Sequence, residues 1–203
     1  MSTWDPWARD VLLRAWPSSL PAPSSTELLG VQAVGRHEGF YGFASKPPGW
    51  AGSNNWGAIQ CGHGPPCDGT DCFEAGDHTA TGAAYRTCFR IYKSAEAGAA
   101  GLIRELYRRP SVAEALRTGD LSAVALAMRQ TGYHETAPAI YAAALERNAA
   151  AIREALGEAP PSVAAGQRSS GSKLLELVWA GLFVGMAVRH RMPANRARRR
   201  NSR

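Results

Sequence analysis

Most of this 203-residue chain lacks an excess of charge of either sign. The formal net charge is +6, but the last fifteen residues, 189–203, hold seven arginines and no acidic residue. Removing those seven from the 23 basic residues leaves 16 in residues 1–188, which contain all 17 acidic residues. Residues 1–188 are therefore nearly neutral, which does not indicate a nucleic-acid-binding protein. Any binding to nucleic acid is expected from the arginine-rich tail.

The chain also lacks an internal repeat and a signal-peptide pattern at its N-terminus. Asp5 and Asp10 interrupt the first apolar residues, so the N-terminus does not resemble a cleavable leader, and any export is expected to use another route. The absence of repeats excludes a solenoid. With 45% apolar and 20% charged residues, the composition excludes a wholly disordered or fibrous protein.

Cysteine is absent except at four positions within 28 residues, which are Cys61, Cys67, Cys72 and Cys88. Such clustering predicts a loop held by disulfides or by a metal, and two disulfides could form in three pairings. His63 and His78 could add zinc ligands, but no CxxC pair is present, which favours disulfides over zinc. Two bridges would stabilise a glycine-rich insert by about 2–4 kcal/mol each and require an oxidising location.

Apolar periodicity predicts a mainly α-helical protein. An amphipathic helix is expected over residues 4–16, and a second helix is expected from Ser25 or Thr26 to Glu38, with Gly39 as its C-terminal stop. Two β-prone segments, NNWGAIQC and AAYRTCFRIY, predict a small hairpin within residues 39–92. Helices are expected again from Ser94 to Leu156, with Pro138 in the first turn of the last one.

These patterns divide the chain into four regions. We expect an N-terminal helix and connector over residues 1–23, a main domain over 24–157, a flexible linker over 158–172, and a hydrophobic helix with an arginine-rich tail over 173–203.

The apolar run Leu174–Val188 predicts a membrane anchor or a short buried or amphipathic helix. Fifteen residues reach roughly 22 Å as a helix, less than the ~30 Å hydrocarbon layer, so the span would be marginal. If it crosses a membrane, the tail Arg189–Arg203 is expected on the cytoplasmic or virion-interior side, bound to anionic lipid or nucleic acid.

Four motifs occur in a recognisable order: GRHEGFYG at 35–42, SNNWGAIQ at 53–60, FRIYKS at 89–94 and TGYHETAPAIY at 131–141. Together they resemble the lysozyme-like peptidoglycan hydrolases, closest to the bacterial and phage glucosaminidase branch, similar to the flagellar cell-wall hydrolase domain. The resemblance covers residues 24 to about 156. It implies a mainly α, lysozyme-like α+β fold in which a β-hairpin lobe flanks a groove for a glycan strand.

The resemblance also implies roles for individual residues. The catalytic glutamate corresponds to Glu38, the asparagine-tryptophan-glycine turn to Asn55, Trp56 and Gly57, and the active-site tyrosine to Tyr133. The sequence departs from the family after that tyrosine, where residues 134–136 are His-Glu-Thr, so neighbouring contacts are not transferred.

Chemistry independently favours Glu38 as a general acid. Cleaving a glycosidic bond needs a carboxyl group that is still protonated near neutral pH. The unsatisfied carbonyls at a helix C-terminus and apolar surroundings from Phe40, Tyr41 and Trp56 would both disfavour ionisation. The alternative is that Glu38 is an ordinary solvated glutamate at the end of a helix, without a catalytic role.

A second carboxylate would hold a water molecule or stabilise the positively charged transition state. The candidates are Asp68, Asp71, Glu74 and Asp77, and the spacing in the resembling family favours Glu74. All four could instead be solvated loop residues. A lytic transglycosylase route would need only one acid.

Aromatic residues could line the groove. Trp50, Trp56 and Tyr41 offer flat faces to sugars, although for Trp56 the favoured alternative is a core residue. Asn55 is expected either to contact the substrate or, more simply, to bond the backbone of its own turn.

The function predicted from the sequence is cleavage of β-1,4 glycosidic bonds in peptidoglycan, by a glucosaminidase, a muramidase or a lytic transglycosylase, without a metal or cofactor. We expect a membrane-associated protein whose hydrolase domain faces the cell wall or periplasm, and which could be a phage virion component. The alternative is a non-catalytic wall-binding or structural protein whose tail binds nucleic acid or anionic lipid.

Overall fold

The computed structural model describes residues 4–42, 52–78 and 83–158. Within them the α-helices are α1 (Trp4–Ala15), α2 (Ser25–Gly39), α3 (Ala95–Tyr107), α4 (Pro110–Thr118), α5 (Leu121–Gln130) and α6 (Pro138–Leu156). A short 3₁₀ turn spans Phe40–Gly42, and the strands are β1 (Cys72–His78) and β2 (Ala84–Arg90). The predicted mainly α fold with a small hairpin lobe is confirmed for these residues.

Helix α2 lies at the centre of the helical part. Every residue from Glu27 to Gly35 is buried, because α1, α3, α4 and α6 all pack around this helix. Residues Ala8, Val11 and Leu12 of α1 enter the same core, so the packing does not follow the division expected between residues 23 and 24.

The start of α2 was predicted correctly, but its end is one residue later. Ser24 caps the helix: its hydroxyl accepts a hydrogen bond from the Glu27 N–H at 3.1 Å. At the other end Phe40, rather than Gly39, adopts the left-handed conformation, with φ 44°, and Tyr41 follows with φ 60°. Tertiary contacts of Tyr41 hold this turn, since the side chain is fully buried and bonded to Asp5.

The hairpin differs from its prediction in one strand. Strands β1 and β2 pair antiparallel, with Glu74 opposite Cys88 and Asp77 opposite Tyr85. The predicted strand NNWGAIQC is a loop that contributes a single bridge, between Gln60 and Phe89.

The cysteines form two disulfides, Cys61–Cys72 and Cys67–Cys88, which confirms the preference for disulfides over zinc. His63 lies next to one bridge, with Nε2 3.9 Å from the Cys72 Sγ. Both bridges connect the loop before β1 to the hairpin, so they close this lobe covalently.

Several predicted features lie outside the described residues. They are Trp50, the greater part of the linker over 158–172, and the hydrophobic helix and arginine tail over 173–203. None of the helices in the described ranges is long and apolar enough to cross a membrane.

Candidate active site

Glu38 lies in the last turn of α2, and its carboxylate contacts the last helix. The side chain is partly buried, and its Oε1 accepts a hydrogen bond from the hydroxyl of Tyr141 in α6. Its second oxygen is not used by this bond. A carboxyl group held at one oxygen can present the other to a ligand.

The surroundings of Glu38 keep its proton bound near neutral pH. Burial raises the pKa of Glu38 from an ordinary 4.5 to about 7, the hydrogen bond from Tyr141 opposes that rise, and the nearby charge of Asp77 adds to it. At pH 7 a substantial fraction of the group is therefore protonated, as a general acid requires.

Two histidines pack around Tyr141 and stay neutral. The ring of His134 stacks on Tyr141 with centroids 3.8 Å apart, and His37 meets the same ring edge-on at 4.8 Å. Burial lowers the pKa of His134 from 6.5 to about 4, and burial together with the charge of Arg147 lowers that of His37. Neutral rings leave the proton on Glu38 undisturbed.

Arg36 does not pair with the carboxylate of Glu38, although the two residues are only two positions apart. Its guanidinium is directed to α1, where Nη1 lies 2.5 Å from a carboxylate oxygen of the fully buried Asp5. The other oxygen of Asp5 accepts a hydrogen bond at 2.6 Å from the Tyr41 hydroxyl. Sequence reasoning missed Asp5, which holds Arg36 in a buried ion pair on the α1 side of α2.

Asp77, rather than Glu74, is the hairpin carboxylate beside Glu38. Asp77 is buried, accepts a hydrogen bond from the Tyr85 hydroxyl on the paired strand, and acts electrostatically on Glu38. Glu74 is three positions earlier on β1, which places it on the opposite face of the strand, and it pairs there with the exposed Arg86. The sequence favoured Glu74 as the second carboxylate, whereas the hairpin residue that acts on Glu38 is Asp77.

The two remaining acidic candidates belong to the loop before β1. The Asp68 carboxylate accepts three backbone hydrogen bonds, from Thr70, Asp71 and Cys72, which lower its pKa. Asp71 is exposed, and its backbone carbonyl accepts from the Ile91 N–H at 2.7 Å. These residues shape the loop and show no contact with Glu38.

Tyr133 is buried behind the site. Its hydroxyl donates to the Gly57 carbonyl at 2.9 Å, and the Arg109 guanidinium lies 5.2 Å from its ring centre. Glu38 is near enough for its charge to help burial raise the pKa of Tyr133. The tyrosine that bonds Glu38 is nevertheless Tyr141, which lies eight residues further along the same motif.

The predicted sugar platforms Trp56 and Tyr41 are core residues. The Trp56 ring is fully buried, 5.1 Å from Tyr41 and 5.9 Å from Trp7 between ring centres. The expected substrate contact of Tyr41 is corrected, and Trp56 is the core residue that the favoured alternative described, because neither ring has an exposed face.

The side chain of Asn55 bonds the backbone of its own turn, which is the simpler of the two expectations. The residue is fully buried, its amide N–H donates to the carbonyls of Ile59 at 2.9 Å and Arg90 at 3.1 Å, and its amide oxygen accepts from the Ile59 N–H at 2.9 Å. Every polar atom of the side chain is occupied, so Asn55 is not free to bind a substrate.

No family model matches the chain, and no curated protein matches it. Solved structures similar to it include a peptidoglycan hydrolase mutant from Sphingomonas sp. A1, at 19% identity and a TM-score of 0.49, covering 75% of this chain and 92% of that one. Another is the catalytic domain of the autolysin Auto from Listeria monocytogenes, at 12% identity and a TM-score of 0.45, covering 75% of this chain and 81% of that one. Peptidoglycan hydrolases are thus among the structural neighbours, as the motifs predicted.

Proposed function

We propose that this protein is a peptidoglycan hydrolase that cleaves β-1,4 glycosidic bonds of the glycan strand with Glu38 as general acid. The observation that carries the proposal is a half-buried glutamate whose pKa is raised to about 7 and one of whose carboxyl oxygens is fixed by Tyr141. A solvated glutamate at a helix end would have neither property.

The proton transfer follows from this hydrogen bond. Tyr141 donates to Oε1 of Glu38, so the proton is available from the other oxygen for the glycosidic oxygen of the leaving sugar. As the bond breaks, negative charge develops on Glu38, and the Tyr141 hydroxyl stabilises it. The neutral His37 and His134 rings hold Tyr141 in place without attracting the proton themselves.

Asp77 supplies the second charge in this mechanism. Its carboxylate on the hairpin is buried and its orientation is fixed by Tyr85, so it would act on the positive charge that develops on the sugar ring through its electric field and not by contact. A hydrolase would use this charge to stabilise the sugar cation. In a transglycosylase route the sugar's own hydroxyl attacks, and Asp77 would contribute only its charge.

Fragment release from purified cell walls tests the proposal. We expect the wild type and Glu114→Gln, whose side chain is 70% exposed on α4, to release fragments at equal rates. Glu38→Gln keeps the size of the side chain and an acceptor for Tyr141 but has no proton to give, so the rate should fall by about 100-fold or more. Equal release by Glu38→Gln and the wild type would remove Glu38 from the mechanism.

Product analysis separates the routes. Mass spectrometry of the fragments identifies the sugar at the new reducing end and any anhydro product. Asp77→Asn should slow a hydrolase strongly and a transglycosylase much less. If the wild type binds walls but releases nothing, the non-catalytic wall-binding alternative replaces the enzyme.

We further propose, from sequence alone, that residues 174–188 anchor the protein in a membrane, with the hydrolase domain facing the cell wall and the tail held by anionic lipid or nucleic acid on the other side. Delivery by a phage belongs to the same proposal. Flotation with liposomes should carry the full chain upward and leave a chain ending at Gly157 behind. Equal flotation would remove the anchor.

A further inference from the structure

A cavity of about 280 Å³ lies between α3 and the hairpin, apart from the carboxyl group of Glu38. Arg104 and Arg108 of α3 and Arg90 at the end of β2 line it, together with Glu105 and Tyr92. The backbone around Asn55 fixes the position of Arg90, because the Arg90 N–H bonds the Ile59 carbonyl at 2.9 Å and Ile59 also lines the cavity.

The cavity carries a net positive charge. Glu105 is already neutralised, since its Oε1 lies 2.7 Å from Arg108 and 2.8 Å from the buried Arg109. Arg90 and Arg104 are exposed, and among the described residues neither has a carboxylate within ion-pair distance. Two of the arginines that line the cavity therefore lack a fixed counter-charge among the described residues.

Tyr92 adds a neutral donor beside these cations. Its hydroxyl occupies the place of a side chain on α3, since a Cβ on Gly101 would lie 2.5 Å from that oxygen. The glycine thus lets the tyrosine reach the helix surface and bring its hydroxyl group to the cavity wall. Guanidinium groups next to a hydroxyl suit a carboxylate, which accepts two or more hydrogen bonds in a plane.

The buried side chain of Tyr133 lies between the two regions. The charges of Glu38 and Glu105 both act on its hydroxyl. Arg109, which lies over the Tyr133 ring, is the ion-pair partner of Glu105. The cavity and Glu38 thus belong to the same helical core, and a polymer has to pass over its surface to reach both.

We propose that this cavity binds a free carboxylate of the peptide stem of peptidoglycan, with Arg90 and Arg104 as its main contacts. The inference rests on the proposed function. The N-acetylated sugars of the strand are neutral, and its acidic groups are on the stems, so a basic cavity on a glycan-strand hydrolase would select strands that carry stems. The role of the two arginines is binding rather than chemistry.

A titration with a soluble stem tests this assignment without requiring activity. The probe is the tripeptide L-alanyl-γ-D-glutamyl-L-lysine, followed by NMR on the full-length protein with its disulfides intact. We expect Arg90→Gln and Arg104→Gln each to raise the dissociation constant about 10-fold, which is the effect of losing one charge-assisted hydrogen bond. Arg117→Gln, which removes an exposed arginine of α4 outside the cavity, should bind like the wild type.

Two further ligands identify the anion. The same tripeptide with amidated carboxyl groups should bind at least about 10-fold more weakly than the acid, and inorganic phosphate should not compete at equal ionic strength. Binding of phosphate in preference to the tripeptide, equal binding of the amidated peptide, or no effect of either arginine substitution would overturn the proposal. Equal unfolding temperatures for the variants would show that folding is intact.

Kinetics on polymeric walls distinguish this inference from the proposed function. On strands with stems, Arg104→Gln should raise KM about 10-fold and leave kcat unchanged, whereas Glu38→Gln should lower kcat. A wild type without activity would refute the proposed function and leave the peptide titration to decide the cavity. An active enzyme with unchanged KM in both arginine variants would refute the cavity assignment alone.

Discussion

Replacing Glu38 with glutamine should remove a pH-dependent destabilisation of the fold. In the unfolded chain the carboxyl group ionises with its ordinary pKa of 4.5, whereas in the folded protein it does so at about 7. Between these values unfolding releases a proton, so the wild-type free energy of unfolding falls as the pH rises through this window. The variant has no proton to release there.

The expected size follows from the two pKa values. A difference from 4.5 to about 7, at about 1.4 kcal/mol for each pH unit, gives an upper limit of about 3 kcal/mol. Because Glu38 retains contact with solvent, screening reduces the effect, and we expect about 2–3 kcal/mol. Relative to the wild type, Glu38→Gln should therefore be more stable at pH 8 than at pH 4.5 by that amount.

Urea unfolding at several pH values measures this difference. The free energies of wild type and Glu38→Gln are subtracted at each pH, which cancels every other titrating group. Glu114→Gln, which makes the same substitution at a side chain that is 70% exposed, provides the matched control. A flat difference between Glu38→Gln and the wild type would refute the raised pKa, and with it the reason for assigning proton donation to this group.

Three other substitutions test the surroundings of the site. His134→Phe keeps the stack on Tyr141. As the pH falls from 6.5 to about 4, only the unfolded histidine takes up a proton, so the wild type loses up to about 3 kcal/mol of stability that the variant should keep. Unfolding of both proteins at several pH values measures this difference. Asp5→Asn leaves Arg36 without its buried partner and should cost about 3 kcal/mol in urea unfolding; a cost below about 0.5 kcal/mol would contradict the ion pair. Gly98→Ala should cost about 2–3 kcal/mol, because its Cβ would lie 1.8 Å from the Asn54 carbonyl oxygen. Gly64→Ala serves as the control, since a Cβ there meets nothing within 4 Å. Equal unfolding temperatures for the two variants would argue against this close packing.

The helices were predictable because their signals are local. Ser24 and Ser94 cap α2 and α3 in the structure, and Pro138 occupies the first turn of α6, as each residue type favours. The hairpin was harder to predict, because β1 depends on pairing with β2 and on disulfides that join distant positions. The NNWGAIQC segment has the composition of a strand, but the side chain of Asn55 binds the backbone and closes a loop instead.

The candidate site was predictable at Glu38 and less so around it. Its partner Tyr141 is 103 residues away in the chain, and no local pattern indicates that contact. Their spacing from Glu38 in the sequence makes both Glu74 and Asp77 candidates for the second carboxylate. Only the register of the strand shows which of the two faces inward. Whether Tyr41 and Trp56 are buried or exposed depends on α1, whose residues Asp5 and Trp7 cover them.

Helix α1 meets the segment just after α6 at Arg9 and Glu158, whose side chains form an ion pair at 2.8 Å. Arg9 is five residues from the start of α1, or about 7–8 Å along the helix, so a short peptide could join residue 158 to residue 4. New termini opened in the connector before Ser24 would then give a circular permutant in which α1 follows α6. Such a chain would keep Asp5 under Tyr41 and Trp7 against Trp56, although α1 would be made last rather than first.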